Sequence, residues 1–483
     1  MNWGISAPEG RGAAFGGAAK DAVRRLLLAT VAMAALGAGA SRGETAGGAL
    51  VKAYLNNPDI NTQRAAVRVA DEGVPKANAG YLPTIDASGD YALARVSANA
   101  LNPLNGQATP SETFNSTPRG YGITGTETIF NGMRTTNSIR QAESQVLGAR
   151  EQLRNTEQNT LLAGITAYMD VLRDTALLDL QRNNVLVLQE QLRETRDRFT
   201  VGEVTRTDVA QAEASLASAN ASEISAVATL QASVARYRQT IGDEPKSLSP
   251  VTPIVKPLPK TLPEAISISQ VEHPAIVASL HGVDAALLQV KIAEGALYPT
   301  VGVTASIQNR FDVDNTPGLH ALVGSLMGQV TIPIYQGGAE YATTRQAKES
   351  LGQQELQTDS ERNLVRANVV SAWGQNEASF GVVRAAKAAV SANEVALTGV
   401  REEAKVGQRT TLDVLNAQQA LLTARSQLVI AEHDQVVNSY SLLSTIGRLN
   451  IPTLGLAVAE YDPRVHFEQV KGKWIGLRTP DGK

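Results

Sequence analysis

The chain contains an internal sequence repeat of two copies, and this duplication constrains its fold more than any other feature. Residues 201–209 recur as residues 406–414, at an offset of 205 residues. Earlier in each unit the offset is 216, because residues 83–84 correspond to residues 299–300. The difference of 11 residues falls between positions 84 and 130 of the first copy, as is typical of an inserted surface loop. The two copies are therefore predicted to share one architecture.

Each copy is predicted to form a long helical hairpin. Residues 119–244 and 334–451 contain no proline, although the chain has 20 of them, and proline would interrupt a helix. Small and apolar residues recur at spacings of three and four, which is typical of helices packed along a seam. Gly202 and Gly407 interrupt these runs at turns, and Thr and Asp residues that follow can cap the next helix. A continuous helix over 132–201 would be about 100 Å long.

Before each hairpin the apolar pattern changes from a period of 3.6 to a period of 2. The predicted strands are 84–95 and 119–130 in the first copy, and 300–311 and 321–334 in the second. Strands of about 10 to 12 residues cross a membrane when they are tilted. Four strands cannot close a barrel, and an open sheet in lipid leaves backbone groups unpaired at several kcal/mol each. Three chains would supply twelve strands, whereas the eight strands of two chains would be too narrow for a conduit.

The repeats divide the chain into five parts. Residues 1–40 are predicted to be a signal peptide, because Arg24 and Arg25 precede an apolar run that ends in Ala-Gly-Ala. The first repeat covers 41–248, a proline-rich connector 249–264, the second repeat 265–450 and a C-terminal tail 451–483. No helix after residue 40 is expected to be long and apolar enough to cross a membrane.

Composition excludes several classes of function. The chain has no cysteine, which rules out disulfides, thiolate metal sites and catalytic thiols. A net charge of −3 provides no basic field for nucleic acid. The five histidines lack metal-site spacing, and no catalytic triad or phosphate-binding loop is found, so neither an enzyme nor a cofactor is expected. Two classes remain: a membrane duct, or a periplasmic coiled-coil adaptor or structural protein without a membrane barrel.

Two segments carry a resemblance to a known family. Residues 332–338 (Ile-Pro-Ile-Tyr-Gln-Gly-Gly) and residues 406–416 resemble the strand-to-helix junction and the periplasmic hairpin tip of TolC family outer-membrane efflux and type I secretion channels. The resemblance covers about residues 49–450, and the tail over 461–474 is similar to that of the type I secretion members. Both drug efflux and protein secretion are compatible with this pattern.

The resemblance implies a fold class, partners and a location. The chain would be mainly α with membrane β, and would form a homotrimer in the outer membrane of a Gram-negative bacterium. Four strands per chain would build a 12-stranded β-barrel, continued by a long α-helical barrel across the periplasm and closed at its tip. The implied partners are a periplasmic adaptor (membrane fusion) protein, an inner-membrane ABC or proton-driven pump, and outer-membrane lipid.

The resemblance also implies the residues of a gate at the hairpin tip. Asp413 matches an aspartate that rings the constriction, and Arg409 matches an arginine that ties neighbouring helices together in the closed state. Thr207 and Asp208 match the partners of these links, and Asn416 stands where a second inward aspartate is expected, so weaker cation selectivity is predicted. From the residues alone, the spacing favours a simpler role, in which Asp413 and Asp208 only cap the helices that follow Gly407 and Gly202.

A further set of residues marks the junctions between strands and helices. The predicted junction residues are Pro83, Pro299, Pro333, Gly337 and Gly338. The aromatic residues near them either form a girdle at the membrane interface or pack at the junctions; they are Tyr81, Phe130, Tyr298 and Tyr335.

Overall fold

The computed structural model describes residues 43–98 and 112–482. The predicted signal peptide over 1–40 lies outside the described residues. The helices are α1 (Ala46–Asn56), α2 (Pro58–Asp71), α3 (Gly73–Asn78), α4 (Arg134–Thr200), α5 (Arg206–Ile241), α6 (Leu262–Glu272), α7 (Pro274–Gly295), α8 (Ala339–Lys405), α9 (Thr411–Thr445), α10 (Ile451–Leu454) and α11 (Arg464–Val470). The strands are β1 (Thr84–Tyr91), β2 (Ala94–Ala98), β3 (Glu112–Ser116), β4 (Arg119–Asn131), β5 (Thr300–Phe311) and β6 (His320–Thr331).

Two helical hairpins dominate the chain. The first pairs α4 with α5 and the second pairs α8 with α9. Helices α4 and α8 have 67 residues each, which corresponds to about 100 Å. Ion pairs between Arg196 and Glu213 and between Arg182 and Glu223 show that α4 and α5 run antiparallel. The predicted duplication is therefore present as two long rods of equal length.

The main hydrophobic core lies where the short helices pack on the middle of these rods. It contains Leu50 of α1, Tyr168 of α4 and Leu443 of α9, all almost fully buried. The Tyr168 hydroxyl lies 2.6 Å from the carbonyl oxygen of Glu44 and 2.7 Å from that of Ser249. This contact fastens the connector between the repeats, together with the start of the described chain, to the first hairpin.

The four longest strands form one antiparallel sheet in the order β1-β4-β5-β6. Residues that face each other across the sheet share one side of it, so the registers define its two faces. One face is mainly apolar and includes Ile85, Ala87, Tyr121, Ile123, Val301, Val303, Ile307, Leu322, Leu326 and Val330, with Glu127 and Asn309 as polar exceptions toward its two ends. The other face is mainly polar and includes Asp86, Ser88, Asp90, Thr124, Thr126, Thr304, Ser306, Gln308, Arg310, Ser325 and Gln329, with Val323 and Met327 as apolar exceptions on β6. The sheet thus has one lipid-compatible face and one water-compatible face, with β1 and β6 as edges.

Two predicted strand ends are wrong. The first strand was expected over 84–95, but β1 ends at Tyr91 and a separate ribbon of β2 and β3 follows. Pro118 has no backbone N–H and interrupts the ladder on the partner side, where only its carbonyl bonds to Ala92. The last strand was expected over 321–334, but β6 spans His320–Thr331, because Pro333 cannot donate to the ladder.

The segment Leu262–Gly295 corrects a second expectation. By length and composition alone it is apolar enough to cross a membrane, with a mean hydropathy of 1.4 in its most apolar window. It is two helices, because the chain turns out of helical geometry at His273 (ψ 121°) before Pro274. Helix α7 packs along α4 and α8, so its alanine-rich surface contacts neighbouring helices.

Candidate functional site

The tips of both hairpins are built by the same tight turn. Helix α4 ends at Thr200, and Gly202 adopts φ +81° while its N–H bonds to the Phe199 carbonyl at 3.0 Å. In the second hairpin Gly407 adopts φ +77°, and its N–H bonds to the Ala404 carbonyl at 3.2 Å. Only glycine takes this left-handed geometry without strain, so the turn requires it at both positions.

A capping box begins the returning helix in each hairpin. In the first, the Asp208 carboxylate accepts hydrogen bonds from the Thr205 N–H at 2.8 Å and from its hydroxyl at 2.7 Å. In the second, the Asp413 carboxylate accepts from the Thr410 N–H at 3.0 Å and from its hydroxyl at 2.9 Å. These bonds lower the pKa of both carboxyl groups below the ordinary aspartate value. Both aspartates therefore remain anionic at neutral pH, whatever else they do.

The predicted gate residues are placed at the tips but are not joined to one another within one chain. Among the described residues, the Arg409 guanidinium pairs with Glu403 of its own hairpin at 2.9 Å, and not with Thr207 or Asp208. Thr207 is exposed on the first turn of α5. Asn416 is exposed one helical turn after Asp413, on the same side of α9. Any link from Arg409 to the first repeat must therefore be made between chains or in another state.

The two hairpins contact each other on the sheet side of their tips. Val185 and Leu188 of α4, Ala219 of α5 and Leu415 of α9 form one small buried cluster. Leu415 lies two residues after Asp413, so this cluster fixes the start of α9 against the first hairpin. The second hairpin is thereby packed against the first near the end of the rods that is farthest from the sheet.

The strand-to-helix junctions lie at the opposite end of the rods. Gly337 and Gly338 both have positive φ, +65° and +86°, and Gly338 caps α8. Pro83 and Pro299 each precede the first residue of a strand, and Pro333 lies two residues after Thr331, the last residue of β6. Proline is tolerated at these positions because they contribute no donor to the sheet.

Comparison with known proteins shows the family. The model of the family described as "Outer membrane efflux protein" matches residues 49–243 and 265–448. The chain belongs to this outer membrane efflux protein family. It is 43% identical over 444 residues to the outer membrane efflux protein BepC of Brucella suis, covering 92% of this chain and 94% of the relative. It is 26% identical over 413 residues to the outer membrane protein TolC of Escherichia coli, covering 83% of this chain and 81% of that one.

A solved structure supports the same fold. The Campylobacter jejuni CmeC outer membrane channel superposes with a TM-score of 0.72 at 16% identity, covering 88% of each chain. The predicted fold class is confirmed: a mainly α chain whose four membrane strands contribute to a trimeric β-barrel that continues as an α-helical barrel. As a member of the outer membrane efflux protein family, the chain is an outer-membrane exit duct that extends into the periplasm. The alternative of an adaptor without a membrane barrel is set aside.

One contact that was not predicted from the sequence occurs in both hairpins of this efflux protein. Arg196 reaches from α4 to Glu213 on α5 at 2.5 Å. At the offset of 205 residues, Arg401 reaches from α8 to Gln418 on α9 at 3.1 Å. Each arginine ties the two helices of its hairpin together near the tip. The repeat alignment would have identified both arginines, since they are equivalent positions.

A strained residue lies at the first strand-to-helix junction. Gly132 and Met133 occupy the positions of Gly337 and Gly338 in the other repeat, and Met133 has φ +63°. A left-handed conformation costs a residue with a side chain about 1–2 kcal/mol. Met133 is 60% exposed, so little packing compensates for this strain.

We expect Met133→Gly to stabilise the protein by about 0.5–1 kcal/mol per chain, because the relieved strain exceeds the added backbone entropy of glycine. The temperature at which the trimer dissociates on electrophoresis should rise. Met133→Ala removes the same side chain but keeps the strain, so it should give no increase. The reverse change in the second repeat, Gly338→Met, should lower the dissociation temperature. An equal gain with alanine and glycine would show that the side chain, not the backbone, is responsible.

Proposed function

We propose that the two hairpin tips form the periplasmic gate of the duct. Helices α4 and α8 begin within a few residues of the membrane strands and end at the turns of Gly202 and Gly407, so the tips lie farthest from the outer membrane. The observation that carries the proposal is the Asp413 capping box, which keeps a carboxylate ionised and partly exposed at this end.

In a trimer, Asp413 would supply a ring of three negative charges at the narrowest point. Such a ring attracts cations and retards anions in a pore. Asn416, one turn further along α9, is neutral and adds no second ring. Moderate cation selectivity follows, with Arg409 and the Thr207–Asp208 turn as the groups that would connect neighbouring chains in the closed state. Because Glu403 holds Arg409 in the single chain, closing the gate would require that pair to be rearranged or shared.

We propose that the duct itself is passive and is driven by its partners. The sequence has no phosphate-binding loop. Energy would come from an inner-membrane ABC or proton-driven pump, and a periplasmic adaptor (membrane fusion) protein would join that pump to the tips. The similarity to BepC, an outer membrane efflux protein, and to TolC, an outer membrane protein, is compatible with this arrangement.

Photocrosslinking at the tips tests these partners. A crosslinking amino acid at Gln408 or at Thr207, both exposed, should capture a periplasmic protein that mass spectrometry identifies as a membrane fusion protein, with its pump co-purifying. The control position is Leu326 on the apolar face of the sheet, which should capture lipid and no periplasmic protein. The proposal would be contradicted if the tip positions and Leu326 captured the same proteins, or if the tip positions captured no membrane fusion protein.

A further inference from the structure

The C-terminal tail follows the helices that lead to the membrane sheet. The Tyr461 N–H donates to the Tyr54 hydroxyl at 2.9 Å, next to the end of α1. Farther along, the ring of His466 lies 2.9 Å from the buried Asp71 carboxylate at the end of α2. Residue numbers increase in the same direction in the tail and in the segments it contacts. The tail therefore runs parallel to α2 and α3, toward the start of β1.

Beyond these contacts the tail makes a closed loop over residues 473–478. The Lys473 ammonium donates to the Arg478 carbonyl oxygen and closes the loop, and Gly476 has φ +113°, a conformation that favours glycine. The Asn78 amide holds the base of the loop through the Lys471 carbonyl at 3.2 Å. The loop is therefore a defined structure attached to α3.

The apex of this loop is apolar and uncovered. Trp474 is 78% exposed, Ile475 77% and Leu477 103%. Three large apolar side chains at adjacent exposed positions are unusual for a surface in water. The cavity beside the apex is lined by three cationic residues, Lys76, Lys473 and Arg478, and by one acidic residue, Glu72, so its charged groups are positive on balance.

The position of the loop decides what covers it. The cavity beside the loop is also lined by Ala79 and Leu82, and Leu82 lies two residues before β1 begins. Exposed aromatic residues mark the same end of the other strands, with Tyr298 57% and Phe130 37% exposed. The loop therefore lies at the end of the sheet where its strands join the helices.

We propose that the loop over 473–478 is a membrane anchor that inserts Trp474, Ile475 and Leu477 into the periplasmic leaflet of the outer membrane. An apolar apex bordered by lysine and arginine is the chemistry of an interfacial anchor: the apex enters the acyl boundary and the cations face the phosphates. A neighbouring copy of the chain could cover the apolar apex, but it would not account for the excess of positive over negative residues beside it. This anchor is independent of the gate and goes beyond the proposed function.

Tryptophan fluorescence tests the anchor directly. The chain has three tryptophans, and the one at position 3 lies in the predicted signal peptide, so Trp373→Phe leaves Trp474 as the reporter once mass spectrometry shows that position 3 is absent. The trimer is reconstituted in vesicles of phosphatidylethanolamine and phosphatidylglycerol, with or without bromine on the acyl chains. We expect brominated lipid to reduce the emission to roughly half or less, and aqueous iodide to have little effect, because the indole would lie at the acyl boundary.

The matched control is Trp474→Phe, in which Trp373 on α8 reports from the helical layer. This variant should show no quenching by brominated lipid. Strong quenching of Trp474 by iodide would place the loop in water, and protection from both quenchers would place it against another copy; either result overturns the proposal. Flotation of the vesicles with intact trimer shows separately that the barrel has inserted, so failure of the anchor is distinguishable from failure of the barrel.

Discussion

Leu326→Arg is expected to remove the trimer from the outer membrane. Leu326 lies in the middle of β6 on the apolar face, 78% exposed in the single chain and beside Ala305 and Gly125 in the register. An arginine at the centre of the lipid face of a membrane barrel costs about 2–4 kcal/mol. Three copies of the change would occur in one barrel, so the total cost approaches the whole stability of an ordinary domain. Heat-modifiable trimer in outer-membrane fractions is the measurement.

Ser325→Arg is the matched control for this change. Ser325 is the adjacent residue of β6, and its hydroxyl lies 2.9 Å from that of Ser306 on the polar face. An arginine there would point into the water-filled lumen and should leave the trimer at close to its normal amount. If both variants assemble equally well, or if only Ser325→Arg fails, the assignment of the two faces is wrong.

Asp413→Asn is expected to lower the cation selectivity of the channel several-fold. The substitution keeps the size of the side chain and removes the ring of three charges. Reversal potentials in a tenfold KCl gradient across a planar bilayer measure the effect, which should be largest at low salt, where screening is weak. Because its hydrogen bonds lower the pKa of Asp413, the selectivity of the unmodified channel should persist as the pH falls to about 3.9, the ordinary value for aspartate.

The duplication of the chain supplies a control that separates pore charge from helix capping. Asp208 makes the same capping box in the first hairpin, with Thr205 in place of Thr410. Asp208→Asn should therefore disturb its helix start to a comparable extent. We expect it to leave the selectivity much closer to that of the unmodified channel. Equal losses of selectivity in the two variants would indicate that Asp413 acts only as a cap.

The long elements of the fold were predictable because their signals are local and repeated. The hairpins follow from proline-free stretches with a helical period, and β5 has the bounds expected from the alternation of apolar residues. The end of β1 was not predictable from its own residues, because it depends on Pro118, the residue immediately before the partner strand β4. The apolar character of helix α7 was underestimated, because its apolar residues are mostly alanine and valine and are interrupted by few charges. Its packing against α4 and α8 was not predictable either, because these helices are distant in sequence.

The tip was predictable in its geometry more than in its connections. A glycine followed by Thr and Asp at fixed spacing specifies a turn and a capping box, and both hairpins have them. The partner of Arg409 could not be read in the same way, because an arginine side chain reaches several acceptors and the sequence does not rank them. The path of the C-terminal tail depends on contacts such as His466 with Asp71, which are 395 residues apart.

The number of chains in the barrel tests the central claim most directly. The sheet order leaves β1 and β6 as open edges, and lipid offers no hydrogen-bond partners to them. Native mass spectrometry of the mature protein, extracted from the outer membrane in mild detergent, measures how many copies complete the sheet. We expect three copies and therefore twelve strands. A stable monomer or dimer in the extracted membrane fraction would contradict this account.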